Sequence, residues 1–163
     1  MPANNGTQNS TQVSVTASDW ISASSLTWSD PATTSGVFLN ADLIAPELTQ
    51  QVMDNGAVLV YAKTSDNEEP KLLPALFKQS GNSSSDLYRS VAGLQVIQLS
   101  HTTYKDGAYE TPSAAGELSF RYIVIDNIPP ANGRIATNNG NGYNIDELKQ
   151  MSYSEVALLL GVH

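Results

Sequence analysis

The sequence predicts an all-β fold: a jelly-roll-like β-sandwich with one short internal helix and one C-terminal helix. Short apolar stretches recur along the 163-residue chain, and clusters of Gly, Asn, Ser and Pro separate them, which is typical of strands joined by turns. Only two segments combine a helical start signal with a stop signal. No repeat of fixed period is present, which excludes a solenoid.

The composition favours a secreted or cell-surface protein. The chain has 16 acidic and 8 basic residues, a formal net charge of -8, and few charged residues beside many Ser, Thr and Asn. Because phosphate binding needs clustered Lys and Arg, we expect no nucleic-acid partner. The absence of cysteine excludes disulfides and thiolate metal sites. No apolar run is long enough to span a membrane, and the first residues do not have the pattern of a signal peptide.

The first 18 residues are predicted to be a polar leader that ends in an exchangeable strand, and residues 19–163 a single β-sandwich domain. The leader is rich in Asn, Thr, Ser and Gln. Val13 and Val15 alternate with Ser14 and Thr16, so this strand has one apolar side. It could pair with its own sheet or with that of a neighbouring subunit, and Val13 and Val15 are therefore the candidate assembly residues.

Trp20 and Trp28 lie eight positions apart across a Ser-rich spacer. A tryptophan buries a large area and needs only one hydrogen-bond partner, so both are predicted to be core anchors. The alternative is that they form a stacking platform for sugar rings.

Residues 45–63 are predicted to contain a helix followed by a buried strand. Pro46 suits a first helical position, and Asn55 with Gly56 suits a left-handed helix stop. The apolar run 57–62 then predicts a strand covered on both faces, one of them by this helix.

The other strands are predicted from alternation or continuous apolar runs. Pro74 favours an edge position for its strand. Asp106 and Gly107 predict a tight hairpin turn. Ser152 and Glu155 have capping-box spacing and begin the C-terminal helix, which Gly161 ends. The predicted strands are 37–43, 72–76, 87–91, 94–101 and 118–125.

Arg121 shares a strand face with Ile123 and Ile125. We therefore expect a partly covered guanidinium in a structural ion pair with a carboxylate, or hydrogen bonded to carbonyls. Anion binding is the alternative.

The sequence predicts no enzyme, cofactor or metal site. Asp66, Glu68 and Glu69 are close in sequence but lack calcium-loop spacing, so a solvated hairpin tip is favoured over a calcium site. His101 is predicted to be a hydrogen-bonded histidine at a sheet edge, and His163 is the only other histidine. No serine lies in a Gly-x-Ser-x-Gly turn. Two carboxylates for glycoside cleavage could be drawn from the 16 acidic residues, but no pattern selects a pair.

Five segments, 19–21, 45–61, 72–74, 120–125 and 148–156, together resemble the globular domain of uncharacterised exported proteins of the Bacteroidetes type, many of which look like lipoproteins with a collagen-like stalk. The resemblance covers about residues 19 to 163, and none of its motifs is a catalytic signature. It implies an exported location. The lipidated cysteine and the Gly-X-Y repeat of those proteins do not occur here.

Three functional hypotheses follow. The first is an extracellular structural or adhesive module that associates with itself or with other surface proteins, as a subunit of a surface fibre assembled by N-terminal strand addition. The second is a carbohydrate-binding module that uses Trp20, Trp28 and tyrosines. The third is a glycoside-active enzyme, which would need two facing carboxylates in a cleft.

Overall fold

The structure, a computed structural model, describes residues 13–33, 36–113, 116–130 and 133–163. The described residues form stacked antiparallel sheets with one short internal helix and a helical C-terminus, which confirms the predicted β-sandwich fold class. None of the helices in these ranges is long and apolar enough to cross a membrane.

Twelve strands are present in the described ranges: β1 Ser14–Ala17, β2 Ile21–Ser22, β3 Leu39–Ile44, β4 Ala57–Lys63, β5 Lys71–Leu72, β6 Ala75–Lys78, β7 Ser85–Gly93, β8 Val96–Lys105, β9 Ala108–Glu110, β10 Ser119–Asp126, β11 Ile135–Ala136 and β12 Gly142–Tyr143. The α-helices are α1 Gln50–Asn55, α2 Ile145–Lys149 and α3 Tyr153–Leu160, and Ala23–Ser25 forms a 3-10 helix.

The strands form two sheets and a small ribbon. Sheet I has the order β1-β10-β4-β5, and β2 pairs with β10 next to β1. Sheet II has the order β3-β8-β7-β6. β9 pairs with the C-terminal end of β8, past the residues of β8 that pair with β3. β11 and β12 pair only with each other in the described residues. The short connection from β5 to β6 places these strands at one lateral edge of the sandwich, so β1, β2 and β3 lie at the other.

Sheet I is covered on both faces. The inner core lies between the sheets and contains Phe120, Tyr122 and Val124 of β10. The outer core lies between sheet I and the C-terminal helices and contains Ile123 and Ile125, the alternate residues of the same strand. Successive side chains of a strand point to opposite faces, which explains why β4 and β10 are almost continuously apolar.

Helix α1 begins later and ends differently than predicted. Thr49, not the segment at Pro46, caps its N-terminus, and the Thr49 hydroxyl accepts a hydrogen bond from the N–H of Val52. Gly56 is extended, with φ -122°, rather than left-handed. Glycine is required here for space, because a Cβ at Gly56 would lie 2.5 Å from the carbonyl oxygen of Ile125. The helix contributes Val52 to the inner core, as the predicted covering of β4 requires.

Pro74 separates two strands that the sequence predicted as one. β5 ends at Leu72 in sheet I and β6 begins at Ala75 in sheet II, so the chain changes sheets between them. Both are edge strands, in agreement with the position that proline favours. The hairpin prediction is confirmed, because Asp106 and Gly107 have φ values of 51° and 85° between β8 and β9.

The C-terminal helix has the predicted ends. The Ser152 hydroxyl accepts from the N–H of Glu155, whose carboxylate accepts in return from the N–H of Ser152. Gly161 ends the helix in the left-handed conformation, with φ 69°. A second capping box, at Asn144 and Glu147, begins α2. These caps satisfy amide groups that would otherwise be unpaired at the helix starts.

Candidate assembly site

The predicted assembly strand pairs with its own sheet. β1 runs antiparallel to β10 through four residue pairs, from Ser14 with Asp126 to Ala17 with Ile123. Val15 and Ala17 are half-buried, whereas Ser14 and Thr16 are exposed. Val13, Val15 and Ala17 pack against the outer core. The alternation therefore places one apolar side on sheet I, and we call this position on β10 the strand slot.

Ser18 fixes the end of the strand in the slot. Its N–H donates to the carbonyl oxygen of Tyr122 at 3.0 Å, and its hydroxyl oxygen accepts from the N–H of Tyr122 at 3.1 Å. Its own carbonyl oxygen accepts from Nε of Arg121 at 2.7 Å. Three hydrogen bonds at one residue set the register of β1 on β10, because a shift by one residue would break all of them.

Arg121 joins three segments of the chain. Besides Ser18, it donates to the Tyr153 hydroxyl at 2.5 Å and to the main-chain oxygen of His163 at 2.6 Å. The side chain is only 6% exposed. No ion pair of Arg121 with an Asp or Glu side chain is found among the described residues, and its three acceptors are main-chain and hydroxyl oxygens, which corresponds to the hydrogen-bonded alternative of the expectation.

The two tryptophans pack on opposite faces of sheet I. Trp20 is half-buried on the outer side, where its ring contacts Tyr153 at 5.5 Å between centroids and the Lys63 ammonium lies 4.4 Å from its centre. Trp28 packs against the inner core, and its Nε1 donates to the carbonyl oxygen of Ala23 at 2.9 Å. The structure therefore does not bring them together as one platform.

An exposed aromatic pair that the sequence analysis did not single out lies on the β8–β9 hairpin. Tyr104 and Tyr109 are directly opposite in the register, with ring centroids 5.2 Å apart, and are 39% and 48% exposed. Their positions on either side of the Asp106–Gly107 turn are the signal that could have revealed them. Cross-strand aromatic pairs stabilise hairpins, and exposed rings can also stack on sugars.

The acidic loop between β4 and β5 does not converge on a cation. Asp66 accepts from the Lys63 ammonium at 2.5 Å, and Glu68 accepts from the Thr64 hydroxyl. Glu69 instead reaches helix α3, where its carboxylate accepts from the N–H of Ser154 at 2.7 Å and from its hydroxyl at 2.8 Å. No group of three potential metal ligands occurs in the described part of the chain.

His101 lies in the interior rather than at a sheet edge, because β8 runs between β3 and β7. Its ring is 2% exposed, stacks on Tyr88 at 4.2 Å, and has Nε2 3.0 Å from the Asp86 carboxylate. Burial opposes ionisation of Asp86, but hydrogen bonds from His101, Gln79 and Thr103 outweigh it and lower its pKa. Asp86 was missed because it lies diagonally across the strand pair from His101.

In the part of the chain that the structure describes, the His101–Asp86 pair has no third member of a catalytic triad beside it. No Ser or Thr hydroxyl donates to His101 within the described residues, and the ring is enclosed by aromatic side chains. Burial also raises the pKa of two tyrosines: that of Tyr61, beside Tyr153, to about 12, and that of Tyr88 further. Both phenol groups therefore remain protonated at neutral pH.

Comparison with known proteins gives no match at any level. No protein-family model matches the chain, no curated protein is similar to it, and no solved structure has a matching fold.

Proposed function

We propose that this protein is a structural or adhesive module of the secreted or cell-surface class, and that copies assemble by exchanging the N-terminal strand. In this exchange β1 leaves its own strand slot and the β1 of a neighbour replaces it. The single observation that carries the proposal is the position of β1: a short strand at the edge of sheet I whose apolar side completes the outer core.

An empty slot would be unstable, which favours its occupation by an identical strand. Ile123 and Ile125 belong to the outer core and are 0% exposed, and Val15 and Ala17 pack against this core. Removal of β1 together with Ser18 also unpairs the main-chain groups of β10 that face the slot and deprives Arg121 of one acceptor. A second copy restores the same contacts, so exchange conserves them while linking two molecules.

The charge distribution permits this contact. Residues 1–18 contain no Asp, Glu, Lys or Arg, so the net charge of -8 belongs entirely to residues 19–163. An uncharged strand can approach an acidic neighbour without the repulsion that the remainder of the chain would experience.

The setting is supported by composition and by resemblance. The low content of charged residues, the excess of Ser, Thr and Asn, and the similarity to exported domains of the Bacteroidetes type all favour a location outside the cytoplasm. The proposal includes no cofactor and no catalytic step.

The test measures assembly with and without the strand. The purified protein and a variant that lacks residues 1–18 are incubated at high concentration. Both are imaged by electron microscopy, and their molar mass in solution is measured by light scattering. We expect polymers from the full chain and none from the deletion. A synthetic peptide of residues 8–18 should bind the deletion variant and cap it as a monomer. Polymers that persist after the deletion would refute the proposal.

A matched pair of substitutions separates strand docking from a general effect of charge. Val15→Asp places a carboxylate on the apolar side of β1, and Thr16→Asp places the same group on its exposed side. We expect the first to abolish assembly and the second to leave it nearly intact. Equal effects of the two would contradict docking in the strand slot.

A second candidate function is carbohydrate binding, which the exposed Tyr104–Tyr109 pair favours more than the separated tryptophans do. A glycan array with the full chain and with Tyr109→Ala tests it. Binding that the substitution removes would support it, and an array without signal would exclude it for the glycans tested.

A further inference from the structure

One row of side chains crosses the face of sheet II that is directed away from sheet I. In the strand register Tyr109 is opposite Tyr104, and Tyr104 is opposite Ser85 on its other side. Ser85 is in turn opposite Lys78. Directly opposite residues of antiparallel strands direct their side chains to the same face. These residues therefore form one row across β9, β8, β7 and β6, which we call the tyrosine–lysine row.

Core residues of the same strands show which face the row occupies. Phe77 of β6 and Tyr88 of β7 belong to the inner core between the sheets. Successive side chains of a strand point to opposite faces. Lys78 follows Phe77 directly and Ser85 lies three residues before Tyr88, so both point away from the inner core. Lys78 and the two tyrosines are exposed and Ser85 is half-buried, so a ligand can reach the whole row.

The aromatic end of the row suits a sugar ring. The rings of Tyr104 and Tyr109 have an interplanar angle of 57°, so one ligand ring cannot lie flat against both. A sugar would stack on Tyr109, which is the more exposed, and contact the edge of Tyr104. The negative face of an aromatic ring attracts the polarised C–H groups of a pyranose.

The opposite end of the row is positively charged. Lys78 has no ion-pair or hydrogen-bond partner in the described part of the chain. It lines a groove of about 450 Å³ together with Ser85 and a second lysine, Lys71. Glu68 also lines this groove, and its carboxylate accepts from the Thr64 hydroxyl. Two ammonium groups beside one carboxylate leave this end positive on a chain of net charge -8.

The spacing between the two ends suits a short sugar chain. Neighbouring strands lie roughly 4.8 Å apart, so the main chains at Lys78 on β6 and Tyr104 on β8 are about 10 Å apart. Ser85 offers a hydroxyl group between them. Because the row follows one face of a sheet, an extended chain of flat rings fits it better than a coiled chain.

We propose that the tyrosine–lysine row binds an acidic oligosaccharide whose rings are equatorially linked, such as a flat uronate chain. One sugar stacks on Tyr109, and a carboxylate further along the chain pairs with Lys78. This proposal rests on the second candidate function, carbohydrate binding, and names its ligand class. It does not depend on strand exchange, because β1 lies in sheet I.

The test compares two sugar chains that differ only in their carboxylates. One is cellotetraose, and the other is the same chain with a carboxylate in place of the hydroxymethyl group of each ring. Isotope-labelled protein is titrated with each and followed by two-dimensional NMR in about 0.15 M salt, where a Debye length of roughly 8 Å limits repulsion from remote carboxylates of the protein. We expect amide shifts along the tyrosine–lysine row. From the size of an exposed ion pair, the acidic chain should bind roughly threefold more tightly than cellotetraose.

Three variants complete the design. Lys78→Gln should remove the difference between the two chains. Lys149→Gln is the matched control, because it changes the net charge equally but lies on α2, which covers the far side of sheet I, and it should retain the difference. Tyr109→Ala should weaken the binding of both chains, while an unchanged melting temperature shows that the fold is retained.

Several results would overturn the proposal. They are the absence of shifts with the acidic chain at millimolar concentration, shifts confined to another surface, or equal effects of Lys78→Gln and Lys149→Gln. An acetylated and amidated tetraglutamate peptide that produced the same shifts would also overturn it, because the row would then recognise charge rather than sugar.

Two outcomes separate this proposal from carbohydrate binding in general. If both chains bind equally and Tyr109→Ala removes the binding, the acidic ligand class is wrong but carbohydrate binding stands. If neither chain binds and the glycan array also gives no signal, both are refuted for these glycans.

Discussion

Gly56 provides a quantitative test of how tightly α1 and sheet I are packed. A Cβ at this position would lie 2.5 Å from the carbonyl oxygen of Ile125 and 2.8 Å from that of Val52. The first distance is about 1 Å shorter than a favourable contact of roughly 3.5 Å. Both atoms belong to the main chain, so no side-chain rotation relieves the overlap. In Gly56→Ala, either α1 or the end of β10 must move.

We expect Gly56→Ala to lower the free energy of unfolding by about 2–3 kcal/mol, as other overpacked sites do. For a chain of this size that corresponds to a decrease in melting temperature of roughly 5–10 °C. Two other glycines provide controls. Gly107→Ala has open space but a φ of 85°, and should cost about 1 kcal/mol from strain. Gly93→Ala has its nearest atom at 3.5 Å and no positive φ, and should change stability by less than about 1 kcal/mol.

Urea denaturation followed by tryptophan fluorescence measures all three variants, because Trp20 packs against the outer core and Trp28 against the inner core, so unfolding of either changes the emission. The expected order of destabilisation is Gly56, then Gly107, then Gly93. If Gly56→Ala were no worse than Gly93→Ala, the close approach of α1 to β10 would be wrong.

Three further predictions concern polar contacts. Arg121→Lys should lower the free energy of unfolding by roughly 2 kcal/mol or more, because an ammonium group cannot reach all three acceptors. The exposed Arg89→Lys is the control and should change the free energy of unfolding by less than about 0.5 kcal/mol in the same urea titration. The pKa of Asp86 is lowered in the folded protein, so its ionised carboxylate stabilises the fold above the unfolded pKa, and this stabilisation is lost as the pH falls. The difference in stability between wild type and Asp86→Asn should therefore be largest near neutral pH and shrink below about pH 4. Acid titration followed by circular dichroism measures this difference. Glu69→Gln should destabilise by about 0.5–1 kcal/mol by weakening the contact with α3, and Glu68→Gln should not; equal melting temperatures for the two would contradict that contact.

The strands and caps could be predicted because their signals are local. The continuous apolar run of β10 indicates that both faces of the strand are buried. Ser152 and Glu155, three residues apart, indicate a capping box. The Asp106–Gly107 turn is similarly determined by the conformations that two adjacent residues can adopt. In each case the residues that give the signal are also the residues that make the contact.

The remaining features depend on contacts between distant parts of the chain. Glu69 contacts Ser154 across 85 positions, and nothing in the acidic loop indicates a helix terminus as its partner. The close approach at Gly56 needs β10, which follows some 60 residues later, so the glycine was interpreted as a left-handed stop. The two tryptophans were considered together because they are close in sequence, but sheet I lies between their environments.

The position of Arg121 determines how the molecule would respond to tension. β1 begins opposite Asp126 at one end of β10, and the main-chain oxygen of His163 is held by Arg121 near the other end. A pull applied between Ser14 and His163 therefore runs along β10 rather than across it. Its four pairs with β1 and the three hydrogen bonds of Ser18 would share the load in shear instead of opening one after another. Arg121 thus lies where such a force enters the sheet.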